Sequence, residues 1–204
     1  MLDRPAQALI RPALQALAGL LVRRGVMADQ VSWAGFALGM AAAACIALQR
    51  PLAGLALLLA SRLADGLDGA VARLTRPTDR GAFLDITLDF LFYASIPLAF
   101  ALADPGTNAL AAAVLLAAFI GTGSSFLAFA VLAERRGLKS LAYPDKGLYY
   151  LGGLTEAGET LACFAAMCVW PAAFVPLALS FAALCGLTTV ARLVAGWHAF
   201  GVQR

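Results

Sequence analysis

Four aspartates stand close together in an otherwise apolar part of the sequence, at spacings of three and four residues. Asp65 and Asp68 lie one helical turn apart, and so do Asp85 and Asp89 in the next apolar segment. Carboxylates are the hard oxygen ligands that bind Mg²⁺ or Mn²⁺ in proteins. The spacing therefore predicts a divalent-metal site between two neighbouring helices, and four carboxylates suit two ions.

The composition places these charges in a membrane protein. Of the 204 residues, 62% are hydrophobic and 13% are charged, and the mean hydropathy is +0.83, whereas about 25% of the residues of a soluble domain are charged. A carboxylate at the centre of a membrane helix costs roughly 2.5–3.5 kcal/mol to insert, so intramembrane aspartates mark functional sites. The cysteines lie in apolar runs without metal-ligand spacing, which argues against a zinc site and a disulfide framework.

Apolar segments of membrane-crossing length follow one another along the chain. They predict an all-α integral membrane protein of six transmembrane helices, in a single domain over residues 1–204 whose bundle covers residues 30–197. The fifth segment is the shortest and contains Gly158 and Glu159. The predicted spans are Gln30–Leu48, Leu52–Leu74, Gly81–Ala103, Ala109–Leu132, Glu156–Val169 and Ala172–Ala195.

An N-terminal segment, residues 2–24, precedes the first span and carries apolar residues at helical period with arginines at both ends. This pattern predicts an amphipathic interfacial helix whose arginines lie on anionic lipid headgroups. A signal peptide is the competing interpretation. Against it, Arg11-Pro12 interrupts the apolar run and no small-residue cleavage pattern follows.

The positively charged residues predict the orientation, because short cytoplasmic loops retain Lys and Arg. One side of the predicted bundle collects most of them, whereas the other side offers only Arg50. We therefore expect both termini and the aspartate cluster to face the cytoplasm, in a bacterial-type inner or cell membrane. The residues on the expected cytoplasmic side are Arg4, Arg11, Arg23, Arg24, Arg76, Arg80, Arg135, Arg136, Lys139, Lys146 and Arg204.

Glycines and arginines surround the aspartates. Gly69 and Gly81 remove side-chain bulk beside the carboxylates, which leaves room for a flat ligand. Arg73, Arg76 and Arg80 lie at the same mouth. Carboxylates that hold a divalent metal beside glycines and arginines make a site for phosphate groups bridged by the metal.

Two pairs of small residues, four positions apart, have a different interpretation. Such pairs are more typical of close helix packing than of ligand contact. We expect them to bring neighbouring helices together. The pairs are Gly35 with Gly39, and Gly66 with Ala70.

The complete pattern resembles the signature of the CDP-alcohol phosphotransferases, also called CDP-alcohol phosphatidyltransferases, and is similar to that of the phosphatidylglycerophosphate synthases among them. These are integral membrane enzymes of phospholipid synthesis. All eight fixed positions are present, but seven residues separate Arg73 from Gly81 where family members commonly have eight. The eight positions are Asp65, Asp68, Gly69, Ala72, Arg73, Gly81, Asp85 and Asp89.

The resemblance implies a divalent-metal-dependent transfer of a phosphatidyl group from CDP-diacylglycerol to the hydroxyl of an alcohol, with release of CMP. Asp65, Asp68 and Asp85 would be the principal metal ligands, and Asp89 would contact the metal and act as general base. The resemblance also implies a homodimer in contact with membrane lipid, and nucleic acid is not an expected partner. The implied nucleotide-binding residues are Ser32, Asp65, Gly69, Ala72, Arg73 and Gly81.

The acceptor alcohol is expected to be glycerol 3-phosphate, or else inositol phosphate, serine or another polar alcohol. Relatives with a phosphorylated acceptor tend to present basic residues from the loop before the fifth span and from the last two spans. Glu156 and Glu159 either pair with Arg192 or bind an amino or polyol head group. The candidate acceptor-binding residues are Arg135, Lys146, Glu156, Glu159 and Arg192.

A small divalent-cation transporter is the alternative function, with the intramembrane aspartates as its conduction site. Against it, the predicted carboxylates cluster at one face of the membrane and not at the midplane. The sequence also shows no inverted repeat of the kind that many transporters contain.

Overall fold

The computed structural model describes residues 3–137 and 155–201, with side chains from residue 11 onward. Within these ranges every regular element is helical, as the sequence predicts. The candidate acceptor residue Lys146 lies outside the described residues. The α-helices are α1 (Asp3–Arg23), α2 (Ala28–Ala47), α3 (Pro51–Leu74), α4 (Asp79–Ala103), α5 (Pro105–Arg135), α6 (Ala157–Val169) and α7 (Phe174–Phe200), with a 3₁₀ turn at Pro171–Ala173.

The helices α2 to α7 fall on the six predicted spans. Four of the described helices are long and apolar enough to cross a membrane. They are α2, α4, α5 and α7, and the span of α7 includes the preceding 3₁₀ turn. Helix α3 has 24 residues but carries four charged side chains, and α6 has 13 residues, about 20 Å of helix. The count of six spans therefore stays a prediction.

Prolines and capping side chains set where the helices begin. Pro51 and Pro105 stand in the first turns of α3 and α5, where a missing amide donor breaks no helical hydrogen bond. Thr78 Oγ1 accepts a hydrogen bond of 3.1 Å from the amide of Gly81 and so caps α4. Because only residues 75–78 join α3 to α4, the chain reverses direction between them, and α2 packs against both helices of this α3–α4 hairpin.

The apolar core lies at the end of the bundle away from the α3–α4 turn. It includes Phe92 and Ile96 from the second half of α4, Phe164 from α6 and Phe174 from the start of α7, all fully buried. The Phe100 and Phe174 rings stack with their centroids 4.7 Å apart. The core therefore holds the helices together at one end, while the polar residues gather at the other.

The first pair of small residues brings α2 against its neighbours. A Cβ atom on Gly35 would lie 3.0 Å from Ala64 Cβ of α3, and one on Gly39 would lie 2.6 Å from the Phe92 ring of α4. The distance at Gly39 is shorter than real Cβ contacts, so a side chain there would displace the Phe92 ring, and the contact at Gly35 would be unusually tight. The packing interpretation of this pair is confirmed.

Helix α1 lies against the last turns of α3. Ala18 packs on Ala70 and Val71, and a Cβ atom on Gly66 would lie 3.2 Å from Leu14. The second small pair is therefore also a helix contact. Leucines on the other side of α1 are about half exposed, which agrees with the predicted amphipathic character. The position of α1 in the headgroup plane stays a prediction. They are Leu17 and Leu20.

Candidate active site

The α3–α4 hairpin brings the four predicted aspartates to a single cavity. Asp65 and Asp68 of α3 face Asp85 and Asp89 of α4 around a space of about 10 Å³, which α2 closes on a third side. One carboxylate oxygen from each of Asp65, Asp68 and Asp85 lies within 4.8 Å of the other two. The cavity is also lined by Ser32, Gly35, Phe36, Arg62 and Leu88.

The three gathered carboxylates have the chemistry and the spacing of a divalent-metal site. Mg²⁺ binds oxygen at about 2.0–2.1 Å, so ligands on opposite sides of one ion are about 4.2 Å apart. The spacing of at most 4.8 Å allows all three to reach one ion after a small side-chain adjustment. Oxygen ligands of this kind favour Mg²⁺ or Mn²⁺ over softer metals.

Ser32 holds one of the three carboxylates in place. Its hydroxyl donates a hydrogen bond of 2.5 Å to Asp68 Oδ2, across from α2 to α3. Asp68 is the most buried of the four aspartates, at 6% exposure. The predicted nucleotide-binding serine therefore contacts the aspartate cluster directly.

Asp89 has a cation as its partner. Arg62 Nη1 donates to Asp89 Oδ1 at 2.5 Å and lies 3.6 Å from Asp65 Oδ1. Asp89 was expected to contact the metal as well, but the group with ligand oxygens within 4.8 Å consists of the other three aspartates. Arg62 therefore links Asp89 of α4 to Asp65 of α3, and the metal contact of Asp89 stays a prediction.

Arg62 is a site residue that the motif does not contain. The signal for it was nevertheless in the sequence, since Arg62 lies three residues before Asp65 and therefore on the same face of α3. An arginine within an apolar helix also costs as much to insert as an aspartate. Both facts point to a charge paired inside the bundle.

The predicted nucleotide-binding glycines lie at the mouth of the cavity. A Cβ atom on Gly69 would lie 3.3 Å from Arg73 Nη1, and one on Gly81 would lie 3.5 Å from Asp29 Oδ1. The missing side chains therefore keep the space beside these polar groups open. Ala72 is partly exposed and Arg73 is exposed at the same end of α3.

An ion pair bridges α2 and α4 next to this mouth. Arg80 Nη2 lies 2.5 Å from Asp29 Oδ2, and the Arg80 side chain is 75% exposed. Sequence analysis placed Arg80 at the mouth but gave it no partner, because its partner Asp29 lies on a different helix. The pair ties the first turns of α2 and α4 together at the entrance.

Arg192 is a predicted acceptor residue that contacts α5, the helix that packs against α4. Its guanidinium donates to the carbonyl of Thr122 at 2.9 Å, and the residue is only 8% exposed. The next residue, Gly123, packs against the ring of Phe90, which adjoins Asp89 in the chain. Arg192 of α7 is thus linked to the aspartate helix through two adjacent residues of α5.

The other acceptor candidates lie in different surroundings. Glu156 is buried at the start of α6 and Glu159 is partly buried, whereas Arg135 is exposed at the end of α5. Thr155 donates to Thr188 Oγ1 at 3.1 Å, which fixes the start of α6 one turn before Arg192 on α7. Both interpretations of Glu156 and Glu159 stay predictions.

A second, larger cavity of about 690 Å³ lies between α5 and α7. Arg192 and Ser125 are its polar side chains, and the rest of its lining is apolar or glycine. Phe129 and Phe200 form part of its wall, with ring centroids 4.8 Å apart. Its lining is that of an apolar groove in which Arg192 is the charged side chain.

Residues 25–197 match the family model described as CDP-alcohol phosphatidyltransferase. The chain belongs to the CDP-alcohol phosphatidyltransferase family. The resemblance drawn from the eight signature positions is confirmed, and the protein is an enzyme that transfers substituted phosphate groups in phospholipid synthesis. Family membership also decides against the cation transporter.

Two relatives in sequence support this assignment. The inner membrane protein YnjF of Escherichia coli (strain K12) is 49% identical over 197 residues, which cover 97% of this chain and 96% of that protein. The archaetidylinositol phosphate synthase of Methanothermobacter thermautotrophicus is 49% identical over 70 residues, 34% of this chain and 36% of that enzyme. With several apolar helices of its own, this CDP-alcohol phosphatidyltransferase is a membrane protein.

Solved structures share the fold. The phosphatidylinositol phosphate synthase of Mycobacterium tuberculosis with CDP-DAG bound has a TM-score of 0.74 at 23% identity, over 90% of this chain and 93% of that chain. The same synthase in complex with manganese and citrate gives a TM-score of 0.71 at 23% identity, over 90% and 88% of the two chains. The CDP-alcohol phosphatidyltransferase family is divalent-metal dependent, and the oxygen ligands described above suit such ions.

Proposed function

We propose that this enzyme transfers the phosphatidyl group of CDP-diacylglycerol to the hydroxyl of a phosphorylated polyol and releases CMP. The observation that carries the proposal is the gathering of Asp65, Asp68 and Asp85 opposite Asp89 in one cavity. Sequence analysis put glycerol 3-phosphate first among the acceptors. Inositol phosphate now takes that place, because two of the matched proteins are named as synthases of inositol phosphate lipids.

Asp65, Asp68 and Asp85 hold the divalent ion, Mg²⁺ or Mn²⁺. When bound, the ion neutralises the pyrophosphate of the substrate and stabilises the departing CMP. Ser32 keeps Asp68 oriented by the hydrogen bond to Oδ2. Around the mouth, Gly69, Ala72, Arg73 and Gly81 accommodate the cytidine nucleotide, and the diacylglycerol chains stay in the lipid.

Asp89 is the general base. The acceptor oxygen forms a bond to the phosphorus that carries the diacylglycerol, the bond from this phosphorus to the oxygen shared with CMP breaks, and Asp89 takes the proton of the acceptor hydroxyl. Arg62 donates to Oδ1 of Asp89. Oδ2 is therefore the oxygen that takes the proton.

Arg192 binds the phosphate of the acceptor. A guanidinium matches a phosphate group with two parallel hydrogen bonds, and burial makes that interaction stronger than at the surface. Arg192 is buried and linked through α5 to the helix of Asp89, which supports this role. Glu156 and Glu159 then accept hydrogen bonds from polyol hydroxyls, while Arg135 and Lys146 attract the anionic acceptor from solution.

The site and both termini face the cytoplasm, in a single domain of six spans. Exposed tryptophans support this arrangement, since Trp and Tyr concentrate at membrane interfaces. Trp33 and Trp197 lie toward the charged end of the bundle and Trp170 at the opposite end, with exposures of 53%, 82% and 64%. The homodimer that the resemblance implies stays a prediction.

The test uses the purified protein in detergent with CDP-diacylglycerol and Mg²⁺ or Mn²⁺. The acceptors are inositol phosphate, glycerol 3-phosphate, inositol and serine, and the readouts are CMP release and the mass of the new lipid. We expect turnover with inositol phosphate above glycerol 3-phosphate, and little with inositol or serine. Faster CMP release with an unphosphorylated acceptor would overturn the acceptor class, and no release with any acceptor would overturn the reaction.

A further inference from the structure

Two residues one turn apart on α2 contact both helices of the α3–α4 hairpin. The hydroxyl of Ser32 donates to Asp68 of α3, and Asp29 Oδ2 lies 2.5 Å from Arg80 Nη2 of α4. Residues three positions apart lie on the same face of a helix, so a single face of α2 contacts α3 and α4 at the mouth of the cavity. The distance between the two aspartate-bearing helices at this end therefore depends on α2.

The first two turns of α4 are not held by burial. Helix α4 begins at Asp79, and its first buried residue is Leu88, so none of residues 79–87 belongs to the apolar core. Asp85, one of the three gathered carboxylates, is exposed within this stretch, and Gly81 is only partly buried. The part of α4 that carries these two signature residues therefore needs contacts other than core packing to fix its position.

The stability of α4 does not account for an arginine at position 80. A carboxylate in the first turn of a helix interacts favourably with the helix dipole, whereas a cation there interacts unfavourably. Asp29 in α2 follows this preference and Arg80 in α4 goes against it. An ordinary anchor on lipid headgroups is the competing interpretation of Arg80, but its guanidinium lies on Asp29, whose side chain is only 19% exposed. The ion pair therefore explains the arginine better than either helix stability or lipid contact.

The pair lies next to Gly81 and in line with Asp85. Gly81 follows Arg80 in the chain, and a Cβ atom on Gly81 would lie 3.5 Å from Asp29 Oδ1. Asp85 comes four residues after Gly81, on the same face of α4. A movement of the first turn of α4 away from α2 would therefore carry Asp85 away from Asp68, although their nearest ligand oxygens now lie within 4.8 Å.

We propose that Asp29 and Arg80 are positioning residues for the metal and nucleotide site. Their ion pair holds the first two turns of α4 so that Asp85 stays within reach of Asp68 and both contribute to the metal site. The inference rests on the proposed function in taking these two carboxylates as metal ligands and Gly81 as a nucleotide contact. The pair therefore affects the affinities for the ion and for CDP-diacylglycerol. It has little effect on the turnover number, because the general base lies beyond these turns, in the part of α4 that core packing holds.

The first test measures Mn²⁺ binding and needs no substrate. Electron paramagnetic resonance of free manganese gives the dissociation constant for the wild type, Asp29→Asn, Arg80→Gln and the variant with both changes. We expect each single change to raise this constant about three- to fivefold, the size that a partly exposed ion pair allows. The double variant should bind no more weakly than either single variant, because both changes remove the same contact. Arg80→Lys keeps the charge and should stay close to the wild type.

The direction of the two single changes distinguishes positioning from charge. Charge alone would act in opposite directions, since Asp29→Asn removes a negative charge beside the cation site and Arg80→Gln removes a positive one. Opposite shifts, additive effects in the double variant, or unchanged Mn²⁺ binding in both single variants would each overturn the inference. If Asp29→Asn does not fold, Arg80→Gln decides, since weaker Mn²⁺ binding supports the inference and equal or tighter binding contradicts it.

Steady-state kinetics at saturating Mn²⁺ supply the second test. The KM for CDP-diacylglycerol should rise by a similar factor in each single variant, while the turnover number stays close to that of the wild type. Asp79→Asn changes an exposed carboxylate in the same turn of α4 and is the matched control, with wild-type values in both tests. A lower turnover number with an unchanged KM would overturn the inference. The absence of CMP release by the wild type would overturn the proposed reaction, whereas the Mn²⁺ constants would still decide this inference.

Discussion

The hydroxyl of Ser32 donates a 2.5 Å hydrogen bond to Oδ2 of Asp68, which follows it by 36 residues in the chain. This bond fixes one oxygen of the most buried of the four aspartates. Partners of this kind orient metal ligands, and their loss commonly weakens metal binding about 10–100-fold. Helix α2 therefore takes part in the site although none of the four aspartates belongs to it.

Ser32→Ala should raise the Mn²⁺ concentration that gives half-maximal CMP release by about tenfold or more, because Asp68 loses its donor. Titration of activity with Mn²⁺ measures this. Ser32→Thr keeps a hydroxyl and should restore most of the affinity. Ser95→Ala is the control, since Ser95 Oγ donates only to the carbonyl of Phe92 in its own helix, at 2.7 Å. An unchanged Mn²⁺ requirement in Ser32→Ala would contradict the role of the bond.

Asp89→Asn should lower the turnover number by about 10²–10⁴-fold, the usual contribution of a general base. Binding of CDP-diacylglycerol should stay close to wild type, because the amide still fills the place beside Arg62. Single-turnover CMP release and lipid-binding measurements separate the two effects. Asp79→Asn, at an exposed position of the first turn of α4, is the matched control and should be fully active. Retained turnover in Asp89→Asn would show that another group takes the proton.

Arg192→Ala should raise the KM for inositol phosphate by about tenfold or more, because a charge-assisted hydrogen bond to the acceptor phosphate is lost. The KM for CDP-diacylglycerol should stay nearly unchanged. Steady-state kinetics with each substrate varied in turn test this. Arg50→Ala is the control at the other end of the bundle. Loss of the folded protein, or an equal effect on both KM values, would indicate that Arg192 only supports the helix packing through Thr122.

Gly39→Ala should lower the melting temperature of the detergent-solubilised protein. Its new Cβ atom would lie 2.6 Å from the Phe92 ring and 3.0 Å from Ser61 Oγ, and such overpacking costs about 1–3 kcal/mol. Gly186→Ala, also within a helix, meets nothing within 4 Å and should be neutral or slightly stabilising. Thermal unfolding followed by tryptophan fluorescence compares the two. Equal shifts would contradict the close packing of α2 against α4.

A cysteine at Pro77, in the α3–α4 turn, should react with a membrane-impermeant maleimide only after the inner membrane is permeabilised. A cysteine at Leu48, which is 72% exposed in the turn between α2 and α3, should react in cells whose inner membrane is intact. The wild type measures the background of the native cysteines. The reverse pattern would place the active site on the other side of the membrane.

The sequence predicted most of the helices because local rules decide them. Helix ends depend on residues close by in the sequence, such as Pro51 and Pro105 in first turns and the capping residue Thr78. The helix bounds are therefore close to those predicted from the apolar runs. The pairing of Asp65 and Asp68 with Asp85 also follows from local facts, since helical period and a short turn bring them together. How closely they approach depends on α2, which packs against both helices and lines the cavity between them.

The partners of the aspartates could not be predicted in the same way. Whether Ser32 meets Asp68, or Arg62 meets Asp89, depends on how far α2 and α4 are rotated about their axes, and packing at Gly35 and Gly39 decides that. The link from Arg192 to the site likewise passes through α5. Contacts of this kind depend on tertiary packing, which spacing along the chain does not encode.

The charges of α3 also bear on how the chain enters the bilayer. Arg62, Asp65 and Asp68 make α3 too polar to stand among the helices that qualify as spans by composition. Its neighbours α2 and α4 do qualify; α2 packs along α3, whereas α4 faces α3 across the cavity and packs against α2. Because α2 precedes α3 in the chain and packs along it, we expect α3 to enter the bilayer together with α2. We therefore expect a variant that weakens the packing of α2 on α3 to accumulate less protein in the membrane, besides any loss of activity.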